Sequence, residues 1–576
     1  MVRMLRLLVA PLLVAVLLVA IVQGVGDSPV TKAVKAGDLA GVRKLIASRA
    51  DVNAVSGDGS TPLLWAVYDS NMDVARALIT AGAKVDVANN YGITPLLQAS
   101  RIGDEQMMEV LLKAGADPKK AGLEGETPLM AASRSGSVPA VKLLLGRGLD
   151  VNAADAFQQE TALMWASAED HGDVVDLLLQ AGANPNLKAH VNALTARKNA
   201  DFPTGGFTAL MWAARNGHED TVRRLAKGKA DLNLKNGDNA TATMIAIYND
   251  RFDMAKTLID LGADVNDGSL YVAVEMREAT TDQFAFDGSR LRPDNKNQLT
   301  ALDLIKILLE KGADPLKPFS GQFHSTSMPN SDRFDNAPFF RAALTSDAEA
   351  LKVLAAHMPD LDKTPVAPAL PPEDGAAPVA AGPRGRGGNP NAGRTATMLT
   401  MTGGRGPQMT GGPGYLRTAG APIPYREPGS RKPADAFAVL LKAGANPNAK
   451  APDGNSLLHQ VAQARNLDMI RALADAKVDF NQKNNDGLTA LDVAEGKQPV
   501  NAAATAGAGA GPGRGGRGAP PAGGGGGGAR GRGGPAAGPS AQDVAKLLRE
   551  LMGLPPAPPA PAAADATLPA VPGGAQ

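Results

Sequence analysis

The sequence predicts an all-α fold, a solenoid of roughly twelve stacked helix-turn-helix repeats interrupted by disordered inserts. The first observation is a recurring sequence motif that begins at Thr61, Thr94 and Thr127, about 33 residues apart, a period typical of repeat arrays. The second is that each opening is followed by two short apolar helices and a glycine stop. Because one such helix pair cannot bury its apolar face alone, the pairs must stack.

The repeat at Glu126–Gln159 shows how residue types specify the helix ends. Thr127 is expected to cap the first helix with its hydroxyl, and Pro128 suits the first helical position, where no N–H donor is needed. The run Leu143–Leu145 is apolar over a wide arc, so we expect the second helix to be covered on both sides. Glycines after second helices are expected to adopt a left-handed conformation. These are Gly82, Gly115, Gly182, Gly262, Gly312 and Gly444.

This pattern resembles the ankyrin repeat family. The resemblance is carried by Thr-Pro-Leu or Thr-Ala-Leu openings, an Ala-rich first helix, a Leu-Leu-Leu second helix and closures such as Gly262–Asn266, over most of residues 29–496. It implies antiparallel helix pairs joined by protruding, hairpin-like fingers. It also implies a protein-binding role, although the fold itself does not name the partner.

The N-terminal residues 1–26 have the layout of a secretory signal peptide. Arg3 and Arg6 form a positive start, Leu7–Val22 is almost wholly apolar, and small residues follow. The alternative is an uncleaved anchor in the inner membrane formed by residues 7–22. In either case we expect the array outside the cytoplasm, periplasmic or secreted, in the envelope of a bacterium.

The remaining chain is predicted to alternate repeats with low-complexity segments that lack the apolar content to fold. The predicted parts are an array at 27–360, with a lengthened finger at 187–205 and an insert at 277–299; a disordered insert at 361–394; degenerate and regular repeats at 395–500, with a Gly/Pro-rich insert at 403–432; a Gly/Arg/Ala-rich segment at 501–540; a capping helix at 541–552; and a disordered tail at 553–576.

Composition and motifs argue against catalysis. The net charge of +1 gives no general attraction to nucleic acid or membrane, and the absence of cysteine excludes disulfides and thiolate metal sites. No metalloprotease, nucleophile-elbow, P-loop or dinucleotide motif is present, and no histidine pair has zinc-site spacing. We therefore predict no catalytic residue, metal or cofactor. The alternative is an enzyme or ligand-binding protein whose site is formed by the inserts 277–299 and 403–432.

A second alternative is binding of an anionic polymer or nucleic acid through Gly-Arg segments. Their arginines are Arg384, Arg386, Arg514, Arg517, Arg530 and Arg532. No aromatic residues are interleaved for base stacking, so a flexible insert is the favoured interpretation and nucleic acid an unlikely partner.

Candidate partner-binding residues lie at two places in the repeat. Trp65, Trp165 and Trp212 share one first-helix position, where they serve either inter-repeat packing or partner anchoring, and the neighbours Trp165 and Trp212 are the better candidates for anchoring. Finger residues of varied type complete the prediction, namely Asp58, Asn89, Asn90, Glu124, Phe157 and Asn236. The leading hypothesis is a monomeric, non-catalytic scaffold that binds a protein partner on its concave, finger-lined surface and meets a membrane only through an uncleaved N-terminal segment.

Overall fold

A computed structural model describes seven stretches of the chain. They are residues 26–192, 204–277, 296–319, 337–364, 394–401, 429–497 and 539–556. The predicted signal peptide, the predicted low-complexity segments and the inserts proposed to form a ligand site fall almost entirely outside these stretches.

Short helices follow one another in consecutive pairs along the described residues. They are α1 Pro29–Lys35, α2 Leu39–Ala47, α3 Pro62–Tyr68, α4 Met72–Thr80, α5 Pro95–Ile102, α6 Glu105–Lys113, α7 Pro128–Ser135, α8 Val138–Leu145, α9 Ala162–Ala168, α10 Gly172–Gln180, α11 Ala209–Asn216, α12 Glu219–Lys227, α13 Ala242–Tyr248, α14 Phe252–Asp260, α15 Ser269–Arg277, α16 Ala301–Glu310, α17 Pro338–Leu344, α18 Ala348–Ala355, α19 Ala396–Thr400, α20 Pro433–Lys442, α21 Leu457–Gln463, α22 Leu467–Asp475, α23 Ala490–Ala494 and α24 Ala541–Leu551. Odd-numbered helices are the first helix of a pair, and even-numbered helices are the second. The predicted all-α solenoid is confirmed.

The segments between helix pairs form the fingers. In the lengthened finger, a two-residue ribbon pairs β1 (Val191–Asn192) with β2 (Thr204–Gly205) in antiparallel register, with Val191 opposite Gly205. The chain divides into an N-terminal unit, residues 1–314 with 319–331, and a C-terminal unit, residues 315–318 with 332–576. Helices α1–α16 belong to the first unit and α17–α24 to the second.

The helix ends follow the predicted chemistry. Thr127 Oγ1 accepts a hydrogen bond from the N–H of Met130 at 3.3 Å, and Pro128 occupies the first turn. Thr61 and Thr94 cap α3 and α5 in the same way. The six predicted stop glycines all have positive φ, between 88° and 105°. Both kinds of end are thus set by local residue type, before any contact between repeats.

The first helices form the interior of the stack. Helix α7 packs against α5 and α9, the first helices on either side, as well as against its own partner α8. Its residues Leu129–Ser133 are all buried. A buried leucine contributes about 1.5–3 kcal/mol, so this inner layer supplies most of the cohesion.

The second helices are covered on one side only, which corrects the prediction for Leu143–Leu145. In α8, Val141 and Leu144 are buried, whereas Leu143 and Leu145 remain half-buried. The second helices pack on the first helices and on neighbouring second helices. Their remaining face meets solvent, where a leucine is tolerated.

A ladder of side-chain hydrogen bonds joins consecutive fingers. Asn152 Oδ1 accepts from the N–H of Asn184 at 2.7 Å, and its Nδ2 donates to the carbonyl of Gly182 at 3.3 Å. Seven other side chains accept the equivalent hydrogen bond from a backbone N–H of the next finger. They are Asn53, Asp86, Asn186, Asn233, Asn266, Asp362 and Asn448. The rung from Asp362 reaches Asn446, 84 residues further on. The stack of fingers therefore continues past an inserted segment.

None of the helices described is long and apolar enough to cross a membrane.

We expect Asn152→Ala to lower the free energy of unfolding of the N-terminal unit by about 1–2 kcal/mol, because two inter-finger hydrogen bonds are lost. Urea unfolding of the full chain, followed by tryptophan fluorescence, measures this, since all three tryptophans lie in that unit. Lys119 is exposed at the same finger position one repeat earlier, so Lys119→Ala is the matched control and should change stability by less than about 0.5 kcal/mol. Equal effects of the two substitutions would contradict the ladder's role.

Candidate interaction surface

Large apolar side chains are exposed at the tips of four consecutive fingers. Tyr91, Leu123, Phe157 and Val191 are 67%, 74%, 67% and 39% exposed. We call these four residues the fingertip row. None of them contributes to the buried core, so folding alone does not explain their apolar character.

Backbone hydrogen bonds hold neighbouring fingertips together. The N–H of Ala156 donates to Glu124 O at 3.0 Å, and that of His190 to Gln158 O at 2.6 Å. Gly125 has φ of 86°, and a Cβ there would lie 2.3 Å from the nitrogen of Ala156. Only glycine permits this approach of the two fingers. Leu123, Phe157 and Val191 of the row therefore lie on fingertips that are hydrogen-bonded to one another, not on separate loops.

Three of the predicted finger residues are used inside the fold. Asn89 Oδ1 accepts from the N–H groups of Tyr91 and Ile93, both at 3.0 Å. Asn236, which is buried, accepts from two N–H groups of its own finger in the same way. Asp58 accepts from the N–H and hydroxyl of Ser60 at 3.0 and 2.7 Å. These side chains shape the turns and have little left to offer a partner.

The other predicted finger residues are at the surface. Asn90, Glu124 and Phe157 are exposed at their fingertips. Sequence reasoning missed Tyr91 and Leu123, which lie beside the predicted residues. The signal that identifies them is a large apolar residue next to a turn glycine, where a polar residue is expected.

Trp65 has a structural role. Its Nε1 donates to Ser56 Oγ at 2.9 Å, and the ammonium of Lys35 lies 3.9 Å from the ring centroid. Both its polar atom and one ring face are therefore occupied within the fold, which favours the packing interpretation at this position.

Trp165 and Trp212, by contrast, line one cavity of about 300 Å³, together with Glu160, Met164, Ala168, Glu169 and Asn216. We call it the Trp165–Trp212 cavity. Both tryptophans are half-buried, and the Nε1 atom of Trp165 is shielded from solvent without a hydrogen bond in the part of the chain described. The structure thus brings together the two tryptophans that the sequence singled out.

Arginines lie against these tryptophans but do not line the cavity. The guanidinium carbon of Arg134 is 4.6 Å from the centroid of Trp165, and that of Arg215 is 5.4 Å from the centroid of Trp212. Arg134 also pairs with Glu169 at 3.4 Å. Among the residues that the structure describes, the charged ones lining the cavity are Glu160 and Glu169.

Glu160 is the half-buried carboxylate of the cavity, and it has no ion pair among the described residues. Burial raises the pKa of its carboxyl group, and the negative charge of Asp155 raises it further. The charge of Arg134 and the nearby indole N–H of Trp212 lower the pKa in part. The site therefore holds an incompletely compensated negative charge next to aromatic rings.

A second cavity, of about 430 Å³, lies beside it and has matched charges. Its lining is Arg101, Glu126, Ala131, Arg134, Ser135 and Glu169. Arg101 binds Glu126 through Nε at 3.0 Å, and Arg134 binds Glu169. Because each charge has a partner, this cavity offers less to a ligand.

His459 ties two neighbouring fingers together. Its Nε2 donates to the carbonyl of Leu488 in the next finger at 2.9 Å, so Nδ1 must accept from the hydroxyl of Ser456 at 2.7 Å. Within the stretches described, no group of three or more His, Asp or Glu side chains is arranged to hold a metal.

Comparisons with known proteins agree with the resemblance seen in the sequence. A family model of ankyrin repeats (three copies) matches residues 30–122, 115–189 and 190–269, and a second, of ankyrin repeats (many copies), matches residues 440–494. Together they cover slightly more than half of the chain. None of the curated proteins compared with the chain matches it.

Solved structures include similar repeat domains. The human ASB11 ankyrin repeat domain is 25% identical, over 41% of this chain and 99% of its own, with a TM-score of 0.35. The ankyrin repeat domain of Bcl-3, described as a unique member of the IkappaB protein family, is 29% identical, over 41% of this chain and 98% of its own, with a TM-score of 0.34.

We expect the C-terminal unit to lose stability as the pH falls below about 6.5, the ordinary pKa of histidine. Burial lowers the pKa of His459, so the unfolded chain binds the extra proton more tightly than the folded one. The contribution of this histidine is complete above the unfolded pKa and lost below it. Hydrogen exchange of α21–α23 at pH 7.5 and 5.5, detected by mass spectrometry, should show faster opening at the lower pH after correction for intrinsic rates.

His459→Gln should flatten this pH dependence, whereas substitution of the exposed His357 in the same unit should leave it unchanged. If His357→Gln and His459→Gln behave alike, the assignment to His459 is wrong.

Proposed function

The chain belongs to the ankyrin repeat family, and from this premise we propose that it is a non-catalytic scaffold whose protein partner docks on the fingertip row and the adjoining first-helix face. Ankyrin repeats are in general protein–protein interaction modules, which supports the scaffold role. The surface is the part of the proposal that comes from this chain's own residues.

The main support for this docking surface is the fingertip row. Tyr91, Leu123 and Phe157 each expose about two thirds or more of their surface on consecutive tips. Contiguous exposed apolar residues on a soluble domain mark interaction sites, and aromatic residues are enriched in interface cores. Because backbone hydrogen bonds already join the tips that carry Leu123, Phe157 and Val191, little conformational entropy is lost when a partner docks on them.

We place this scaffold outside the cytoplasm of a bacterial cell, periplasmic or secreted. The support is the sequence of residues 1–26, with Arg3 and Arg6 before the apolar run Leu7–Val22.

The scaffold role predicts a specific capture result. A chain from Asp27 onward, immobilised and exposed to envelope extract, should retain a small set of proteins identified by mass spectrometry. The triple variant Tyr91→Ser, Leu123→Ser, Phe157→Ser should lose at least about tenfold of that retention, because it removes the apolar contact area.

Leu551 and Leu554 are exposed apolar residues on and just after the second helix α24, away from the fingertips and the first helices, so their double serine variant is the matched control and should retain the same proteins. Circular dichroism must show both variants folded. Retention that survives in the fingertip variant would refute the docking surface, and an empty wild-type capture would refute the scaffold role.

The location is tested with residues 1–26 fused to a phosphatase reporter that is active only after export. We expect activity from the native segment and its loss in Leu12→Arg, Leu13→Arg, because two charges interrupt the apolar run. Lys32→Ala, Lys35→Ala in a longer fusion leaves the apolar run intact and should remain active. Equal activity of the native segment and the double-arginine variant would contradict export through this segment.

A further inference from the structure

The Trp165–Trp212 cavity has walls of two kinds. The indole rings of Trp165 and Trp212 come from consecutive repeats, and Met164 and Ala168 add apolar surface to the lining. Glu160 lies where the fourth finger meets α9, and Glu169 follows the end of α9. Aromatic faces and carboxylates, without a cation among the described residues that line the cavity, form an environment that attracts positive charge.

Arginine side chains of the chain itself already lie against both indole rings. Arg134 comes from α7, the first helix before that of Trp165, while Trp212 lies on the first helix after it. Arg134 therefore covers Trp165 from the side of the preceding repeat, and the cavity lies on the side of the following one. The chain already stacks a guanidinium on Trp165 and another on Trp212.

The two carboxylates of the cavity differ in their exposure and in whether they form an ion pair. Glu169 is exposed and already pairs with Arg134. Glu160 is half-buried with Asp155 nearby, and it has no ion pair among the described residues. A cation placed in the cavity would offset the cost of holding the Glu160 charge away from water.

We propose that the Trp165–Trp212 cavity binds an arginine side chain of the partner protein, with its guanidinium on the indole faces and paired with the carboxylate of Glu160. The inference rests on the proposed function, since it gives the partner a required residue. In this proposal the fingertip row contacts apolar surface of the partner, and the cavity binds one charged side chain of the partner.

Arginine fits these walls better than the other polar side chains. A carboxylate would be repelled by Glu160 and Glu169. A lysine ammonium is a compact, strongly hydrated charge, whereas the planar guanidinium is weakly hydrated, stacks on aromatic rings and can donate two hydrogen bonds to one carboxylate. A neutral amide gains neither the charge pairing nor the cation–π attraction.

The experiment uses the full chain with ¹⁵N-labelled tryptophan, which gives three indole N–H signals in the NMR spectrum because the chain has three tryptophans. Trp→Phe variants assign them. The probes are capped tripeptides Gly-Arg-Gly, Gly-Lys-Gly and Gly-citrulline-Gly, in which citrulline has the shape of arginine without its charge. Trp65 serves as the internal control, since its indole is hydrogen-bonded and covered by Lys35.

We expect the arginine peptide to shift the signals of Trp165 and Trp212 but not that of Trp65, and to bind at least tenfold more tightly than the citrulline peptide. The lysine peptide should bind more weakly than the arginine peptide. Glu160→Gln should weaken arginine binding at least fivefold, whereas Glu124→Gln, which removes an exposed carboxylate on the third fingertip, should not change it. Equal binding of citrulline, an equal shift of Trp65, or indifference to Glu160→Gln overturns the proposal.

The captured partner separates this inference from the scaffold function. If a partner is retained and lost in the fingertip variant, yet Glu160→Gln retains it fully, the arginine site is wrong while the scaffold stands. If the arginine peptide binds as described but no protein is captured, the cavity is right while the scaffold is wrong.

Discussion

In most fingers an Asn or Asp side chain accepts a hydrogen bond from a backbone N–H of the next finger, and this bond sets the spacing on which the structure depends. Asn152 and its equivalents fix consecutive fingers side by side, and the first helices then bury their apolar faces against one another. This bond is local to the fingers, so residues inserted elsewhere in a repeat leave it in place. The bond between Asp362 and the N–H of Asn446 forms although 84 residues separate the two, the largest separation among these inter-finger bonds.

The same spacing generates the interaction surface. Fingertips held at a regular distance align Tyr91, Leu123, Phe157 and Val191 into one row, although no two of them are near in sequence. First helices held at the same distance bring the indoles of Trp165 and Trp212 to one cavity. Neither feature exists within a single repeat. The proposed interaction is therefore a property of the stack, and the residues proposed for it recur at fixed repeat positions rather than forming a compact motif.

Sequence reasoning succeeded where the determinant is local. Thr127 as a cap and the glycine stops depend only on residue type and on the conformation that each type favours. Sequence reasoning failed where burial or hydrogen bonding depends on the packing of neighbouring elements. Leu143 and Leu145 look interior by composition, but the second helix faces solvent on one side. Asn89 and Asn236 look like free surface groups, yet their amides stabilise their own turns. The sequence predicts that Trp165 and Trp212 are neighbours, but it does not identify Glu160 as part of their cavity. Glu160 reaches the cavity only through the packing of consecutive repeats.

The most direct test of the central claim, that a protein partner docks on the fingertips, is photo-crosslinking in the producing cell. A photoreactive amino acid replaces Phe157 in one strain and Lys142, exposed on the outer face of α8, in another. We expect one discrete protein adduct from position 157 and none from position 142. Adducts of the same kind from both positions, or from position 142 alone, would contradict it.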